Sequence, residues 1–389
     1  MKILTVGYEG AEKVMQDEIK ELINAPSKTE TSVAIADVND ETLNSYSKLS
    51  YLGQSFIYVL EYLDSFDIKE FEDIQLAEKI DFSKVNKKFR VSCLRIGDQN
   101  YSSKDIEAKL GEIVVNKTKA KVNLEKFDIR VLIYIYNDKA YVGLDYAIVE
   151  LDKRDYKVYS HPKSVKGPLA FTLLKLAGYK EDKVLLDSFC HSGEIVIEAA
   201  FVKSKFPINY YRKDKFGSLI DKKYLEEIDE ERLKNSKKEK TKKSDKKSDR
   251  ENKQSEQSKP SKNTIIAFDA DLRNIKSTKQ NATIGGIKEY IDLSRVDAEW
   301  IDIKLEEGSV DLIVTNPSVP HRANHSEIRK QYEEFFYNAE YVLNKKGKIY
   351  AISNAELRLA AAKKKFKLED SMIIKKGSQI LTVDIFKQS

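Results

Sequence analysis

The chain is expected to fold as an α+β amino-terminal region followed by a doubly wound α/β domain built on a parallel sheet. Three observations predict this. Up to about residue 150, strand-like and helix-like periods mix irregularly. From about Lys163, strand-length apolar runs alternate strictly with helical runs, the pattern of a parallel sheet with crossover helices. With 389 residues and 41% hydrophobic content, the chain has core-forming residues for two or three domains.

The elements follow in order. "KILTVGYEG" reads as a strand, "AEKVMQDEIKELI" as a helix and "SVAIADV" as a strand, followed by the amphipathic stretch "LNSYSKLSYLGQSFIYVLEYL". The same grammar repeats over residues 88–150. "KFRVSCLRIG" is a strand, "SSKDIEAKLGEIVVNKT" a helix, and "FDIRVLIYIYND" and "KAYVGLDYA" are strands joined by a tight hairpin link. "GPLAFTLLKLAGY" is a helix stopping at Gly178. Then strands "KVLLDSF", "TIIAFDA" and "SVDLIVTNPS" alternate with helices "SGEIVIEAAFVKS", "DLRNIKSTKQNATIGG" and "SEIRKQYEEFFYNAEYVLNKKG". The strand "KIYAISN", a helix and the paired strands of "MIIKKGSQILTVDIFK" close the chain.

Composition narrows the class. No apolar run approaches the ~20 residues of a membrane span, and the amino terminus lacks a secretory pattern. Cys93 and Cys190, far apart, offer neither a disulfide framework nor zinc spacing, which suits a cytoplasmic protein. Between Lys234 and Lys262 there are 11 Lys, 1 Arg and 5 acids, a net charge of 12 − 5 = +7, so the rest of the chain carries 5 − 7 = −2. That segment has no Ala, Val, Ile, Leu, Met, Cys or aromatic residue and is expected to be a disordered insertion, either a polycationic RNA-binding arm or a solvated loop.

Several strand ends carry polar residues suited to chemistry. Asp187 to Gly193 forms a turn into a helix whose first N–H groups can face an anion or a hydroxyl. Asp269 closes an apolar strand, where an acid either accepts from ribose hydroxyls or caps the next helix. Asp297 stands where it can accept from an adenine amine or simply ends a weak strand. Asn316 and Pro317 end "DLIVTNPS". His321 and His325, four apart in "HRANH", lack a third ligand and are not expected to bind metal.

Taken in this order, the motifs resemble those of class I S-adenosylmethionine-dependent RNA methyltransferases with an N-terminal THUMP domain, and most nearly archaeal tRNA guanine-N2 methyltransferases. The family loop D-P-F-C-G-S-G-T is matched by Asp187, Phe189, Cys190, Ser192 and Gly193, then "IVIEA", and the family N/D-P-P-Y/F by Asn316 and Pro317. The resemblance implies a Rossmann-like methyltransferase domain at 181–389 interrupted by the insertion at 234–262. Before it stand a ferredoxin-like subdomain at 1–80, a THUMP domain at 81–152, and a connector with the first catalytic-domain helix at 153–180. It implies that Asp187, Ser188, Phe189, His191, Gly193, Asp269, Ala270, Asp297 and Ala298 hold the cofactor. Asn316 and Pro317 would act on a flipped guanine amine. The clustered cations Lys153, Arg154, Lys157, Lys163 and Lys166, with Arg322 near the site, are expected either to contact tRNA phosphate or to form a charged surface face; no metal is expected and a monomer is the expected state, though the sequence does not fix it.

The chain departs from the family at His191, Glu194, Ser318 and Val319, losing a glycine, the second proline and the stacking aromatic. Phe189 or Tyr332 is expected to replace that aromatic, and Glu194 to place a negative charge near the cofactor's carboxylate. Two rival readings are a catalytically impaired THUMP RNA-binding relative and a methyltransferase for ribosomal RNA guanine or adenine N6.

Overall fold

The computed structural model describes residues 1–39, 43–234, 264–318, 325–377 and 379–389. The lysine-rich insertion beyond Lys234, Val319, His321 and Arg322 lie outside the described residues. The chain forms two compact units. The first comprises Met1–Asp152, Arg212–Glu226 and Lys375–Ile380, and the second Lys153–Tyr211, Glu227–Ile374 and Leu381–Ser389.

The first unit is one sheet. Its strands are β1 (Lys2–Val6), β2 (Ser27–Glu30), β3 (Val33–Asp37), β4 (Tyr58–Asp67), β5 (Phe89–Ile96), β6 (Ile129–Tyr136) and β7 (Lys139–Asp145). They lie in the order β2-β3-β1-β4-β7-β6-β5. The expected regions 1–80 and 81–152 therefore share a sheet, joined where β4 pairs antiparallel with β7. The amphipathic stretch after residue 42 proves to be two elements, the helix Asn44–Leu52 and β4. Gly53 separates them, with a Cβ there falling 2.3 Å from the Phe56 ring. The hairpin β6–β7 closes at the Tyr136–Lys139 pair, and Asn137 takes the left-handed conformation at φ 50°.

The second unit carries β8 (Leu185–Asp187), β9 (Ile265–Asp269), β10 (Ile291–Arg295), β11 (Val310–Thr315), β12 (Leu343–Ile352), β13 (Phe366–Lys376) and β14 (Gln379–Gln388), in the order β10-β9-β8-β11-β12-β14-β13. β8 to β12 are parallel and β14 runs antiparallel to β12. The central strands "LLD", "IIAFD" and "LIVT" are near-continuous apolar runs because both faces are covered. From the helix His325–Val342, Tyr332, Phe335 and Phe336 pack with Phe189, Ile313, Phe366 and Phe386, each large side chain contributing ~1.5–3 kcal/mol by burial. That helix stops sooner than expected. Leu343 already pairs with Val310, and the Asn344 amide donates to Asp311 at 2.6 Å, so "NKKG" joins β12.

Strand order reverses between β8 and β11. A ligand crevice in such a sheet opens there, at the carboxyl ends of the strands.

Candidate active site

Asp187 ends β8 on one side of the reversal and Thr315 ends β11 on the other. The Thr315 hydroxyl donates to Asp187 Oδ1 at 2.7 Å, and the Phe189 N–H donates to the same oxygen at 3.2 Å. Burial pushes the Asp187 carboxyl up to about 7, against these two hydrogen bonds.

The chain then turns sharply. Cys190 N–H donates to the Phe268 carbonyl at 3.1 Å, and His191 N–H to Asp269 Oδ2 at 3.0 Å, stitching the loop to the end of β9. His191 has φ 50° and Gly193 φ 91°. The left-handed value explains why glycine is the easy choice at position 191 and why histidine, tolerated there more than most residues, is accommodated. Its ring points into the protein and lies flat on His161, with centroids 4.5 Å apart and planes 3° apart. At Gly193 there is no such room, since a Cβ would fall 2.5 Å from Thr278 Cγ2.

Asp269 is not the cap of the next helix; Asp271 is, accepting from Arg273 N–H at 2.8 Å. Asp269 Oδ1 takes the Asp271 N–H and the Asn274 amide at 2.9 and 3.0 Å, which leaves acceptor capacity on Oδ2. Burial raises its carboxyl above the usual range. Beyond β10, a cleft of ≈ 520 Å³ is lined by Ala270, Arg295, Val296, Asp297, Trp300, Ile303 and Lys304. Ala298 is buried and does not line the cleft, and Arg295 donates to the Ala270 carbonyl at 2.9 Å.

Asn316 follows Thr315. Its Nδ2 donates to the Lys163 carbonyl at 2.7 Å, and its own carbonyl lies 2.9 Å from His191 Nε2. A carbonyl only accepts, so the amide orientation is settled and Oδ1 is left as a free acceptor among the described residues. Pro317 is buried next to it. Lys163, Asp297 and Ser318 share a second cleft of ≈ 360 Å³ with residues of the helix His325–Val342.

A family model described as "RMKL-like, methyltransferase domain" matches residues 154–379, well over half of the chain. The chain belongs to this family. A THUMP domain model matches residues 70–145. Two relatives named tRNA (guanine(6)-N2)-methyltransferase are similar. One, from Methanocaldococcus jannaschii, is 28% identical over 77% of this chain and 76% of its own length. The other, from Archaeoglobus fulgidus, is 26% identical over 76% and 68%. The fold is shared with a possible methylase from Clostridium difficile 630, TM-score 0.78 at 21% identity, covering 100% of this chain and 98% of that one.

This methyltransferase uses S-adenosylmethionine, and the residues fit it. The 520 Å³ cleft joins apolar walls at Val296, Trp300 and Ile303 to the half-buried Asp297 carboxylate, the surroundings a purine with an exocyclic amine needs. Ser188 Oγ is buried in the loop without a hydrogen-bond partner among the described residues.

Four expectations need correction. Arg154 does not face solvent: its side chain is 1% exposed and grips the fully buried Glu198 at 2.8 and 3.2 Å, with a Cβ at Gly167 only 2.5 Å from Arg154 Nε. A guanidinium so enclosed cannot reach a phosphate. Lys157 is committed to Glu194 Oε1 at 2.8 Å and to the Val165 carbonyl at 2.8 Å. Glu194 therefore places no uncompensated charge at the loop; it also accepts from Ser192 Oγ at 2.8 Å. Neither Phe189 nor Tyr332 offers a face for stacking. Phe189 packs edge-on against Phe335 in the core, and Tyr332 is buried with its hydroxyl between the Ser318 carbonyl and the Asn354 amide. Of the other cations, Lys153 is exposed, and Lys163 and Lys166 are half-buried. Cys190 is buried 3.6 Å from Thr278 Oγ1, and burial pushes its thiol up. His325 pairs with Glu356 at 3.4 Å.

Sequence reasoning passed over Thr315, His161, Thr278 and Asn281. Asn281 clamps the connector to the loop, exchanging hydrogen bonds with both backbone groups of Tyr159 and donating to the Ser192 carbonyl at 2.9 Å. Its signal was a polar residue on the apolar side of a helix. His161 stood in the connector with no motif around it.

Proposed function

We propose that this methyltransferase transfers a methyl group to the exocyclic N2 amine of a guanine in tRNA. The observation that carries this reading is Asn316, whose side-chain amide is turned so that Oδ1 is presented as an acceptor at the strand end facing the crevice. S-adenosylmethionine supplies an electrophilic sulfonium methyl when bound. A guanine amine is a weak nucleophile because its lone pair is delocalised into the ring. Asn316 Oδ1 and the Pro317 carbonyl accept its two N–H bonds and orient the nitrogen, with proline fixing the backbone. The base is flipped out of its stack to reach them.

Asp269 Oδ2 accepts from ribose hydroxyls, and Asp297 accepts from the adenine amine in the cleft it shares with Trp300. The THUMP match and the two relatives named for tRNA guanine-N2 methylation support RNA as substrate.

Calorimetric titration of S-adenosylmethionine into the full chain tests the cofactor half. Wild type is expected to bind, and Asp297→Ala to bind at least ~10-fold more weakly, the loss of roughly one hydrogen bond to a charged group. Equal affinity in the two proteins would place the adenine elsewhere.

A further inference from the structure

His161, Lys163, Asn316 and His191 form a closed circuit. Lys163 N–H donates to His161 Nδ1 at 3.2 Å. The Lys163 carbonyl accepts from Asn316 Nδ2 at 2.7 Å. The Asn316 carbonyl lies 2.9 Å from His191 Nε2, and the His191 ring is stacked on the His161 ring. Each of the three hydrogen-bonded links has one consistent donor. The Asn316 carbonyl can only accept, so His191 carries its proton on Nε2. His161 Nδ1 accepts, so the His161 proton sits on Nε2 as well. His191 Nδ1 is left buried without a partner among the described residues. Leaving a buried nitrogen unpaired costs free energy, and it is tolerated here with the ring committed at Nε2.

We propose that His191 is a positioning residue for methyl transfer: from the cofactor loop it holds the Asn316 carbonyl across the sheet's switch point, and His161 braces it. The family's glycine at this position has no side chain with which to do so. Asn316 is thereby gripped twice, at its backbone by His191 and at its side chain by Lys163, so that Oδ1 has one direction in which to accept. The proposal rests on the reading of Asn316 as acceptor for the substrate amine.

Two variants separate positioning from structure. Asn favours the left-handed backbone but is too short to reach the carbonyl, whereas Gln carries a terminal N–H at about the required reach. With the full chain, tritiated S-adenosylmethionine and tRNA, His191→Asn is expected to lose roughly 10²-fold in kcat, the scale of a small misplacement at a reacting centre. Its KM for RNA is expected to stay close to wild type, and His191→Gln to recover most of the rate together with any stability or cofactor affinity that the Asn variant loses. Undiminished kcat in His191→Asn would overturn the proposal, as would parallel losses of stability and cofactor binding that Gln does not reverse. A nitrogen-15 imidazole spectrum of the wild-type chain reads the tether without any RNA. A neutral Nε2–H tautomer for His191 is expected, and the Nδ1–H tautomer would overturn it. Should wild type label no guanine, the reading of Asn316 fails, while the tautomer still decides whether His191 holds the carbonyl.

Discussion

Thr315 Oγ1 donates to Asp187 Oδ1 at 2.7 Å, tying the two strand ends that flank the reversal of strand order. The carboxyl it holds is buried and sits at about 7 rather than 3.8. A carboxyl raised in the folded state stabilises most below its unfolded value, and that contribution is lost as pH rises through the folded one. Without cofactor, wild-type stability is therefore expected to fall relative to Asp187→Asn between about pH 4 and pH 7, by up to roughly 4 kcal/mol. Urea titrations of both proteins across that range check this. A pH-independent difference between them would show that Asp187 does not titrate there.

Arg154 and Glu198 are fully enclosed. Arg154→Met strands a buried carboxylate and is expected to cost about 3–5 kcal/mol, with Arg154→Met/Glu198→Leu recovering much of it. If Arg154→Met kept full stability and lost only RNA affinity, the residue would be an RNA contact after all.

Gly193 combines φ 91° with a Cβ position 2.5 Å from Thr278 Cγ2. Gly193→Ala is expected to destabilise by about 1–3 kcal/mol. Adding Thr278→Ser removes the clashing methyl and should return part of that loss, leaving the backbone strain. A double variant no better than the single one would assign the whole effect to φ.

The rate should also depend on pH. His161 is kept neutral below its usual value by desolvation, with Lys163 acting in the same direction and Asp269, Glu194 and Asp271 opposing; His191 is pushed down to about 4. Protonating His161 puts a proton on Nδ1, where Lys163 N–H must donate. With both substrates saturating, kcat is expected to show an acid limb below histidine's ordinary range as His161 charges. His161→Asn, which keeps an acceptor and cannot charge, should lack that limb. The same limb in the variant would assign the titration to another group.

The order of motifs along the chain was readable because each sits at the end of an apolar strand, and alternation of strand and helix forces those ends to one edge of a parallel sheet. That logic put Asp187, Asp269 and Asn316 at strand ends of one sheet edge, and the family resemblance supplied the roles expected of them. The connector was not readable in this way. Lys153, Arg154, Lys157, Lys163 and Lys166 read as one cationic group, yet Lys157 folds onto a buried glutamate, while His161, which carried no signal, stacks on a histidine 30 residues away in sequence. Arg154 was misread for the same reason: its partner lies on the helix Glu194–Ser204, and composition does not reveal which cations are paired. The split of one amphipathic stretch into the helix Asn44–Leu52 and β4 turns on a local close approach, Gly53 against the Phe56 ring three residues on, which periodicity does not reveal.

The most direct test of the account is the identity of the methylated nucleoside. The full chain would be incubated with S-adenosylmethionine bearing a deuterated methyl group and with tRNA lacking the modification, and the RNA digested for mass spectrometry. The expected product is N2-methylguanosine carrying the deuterated methyl, abolished by Asn316→Ala. Label in N6-methyladenosine, or in no nucleoside at all, would contradict it.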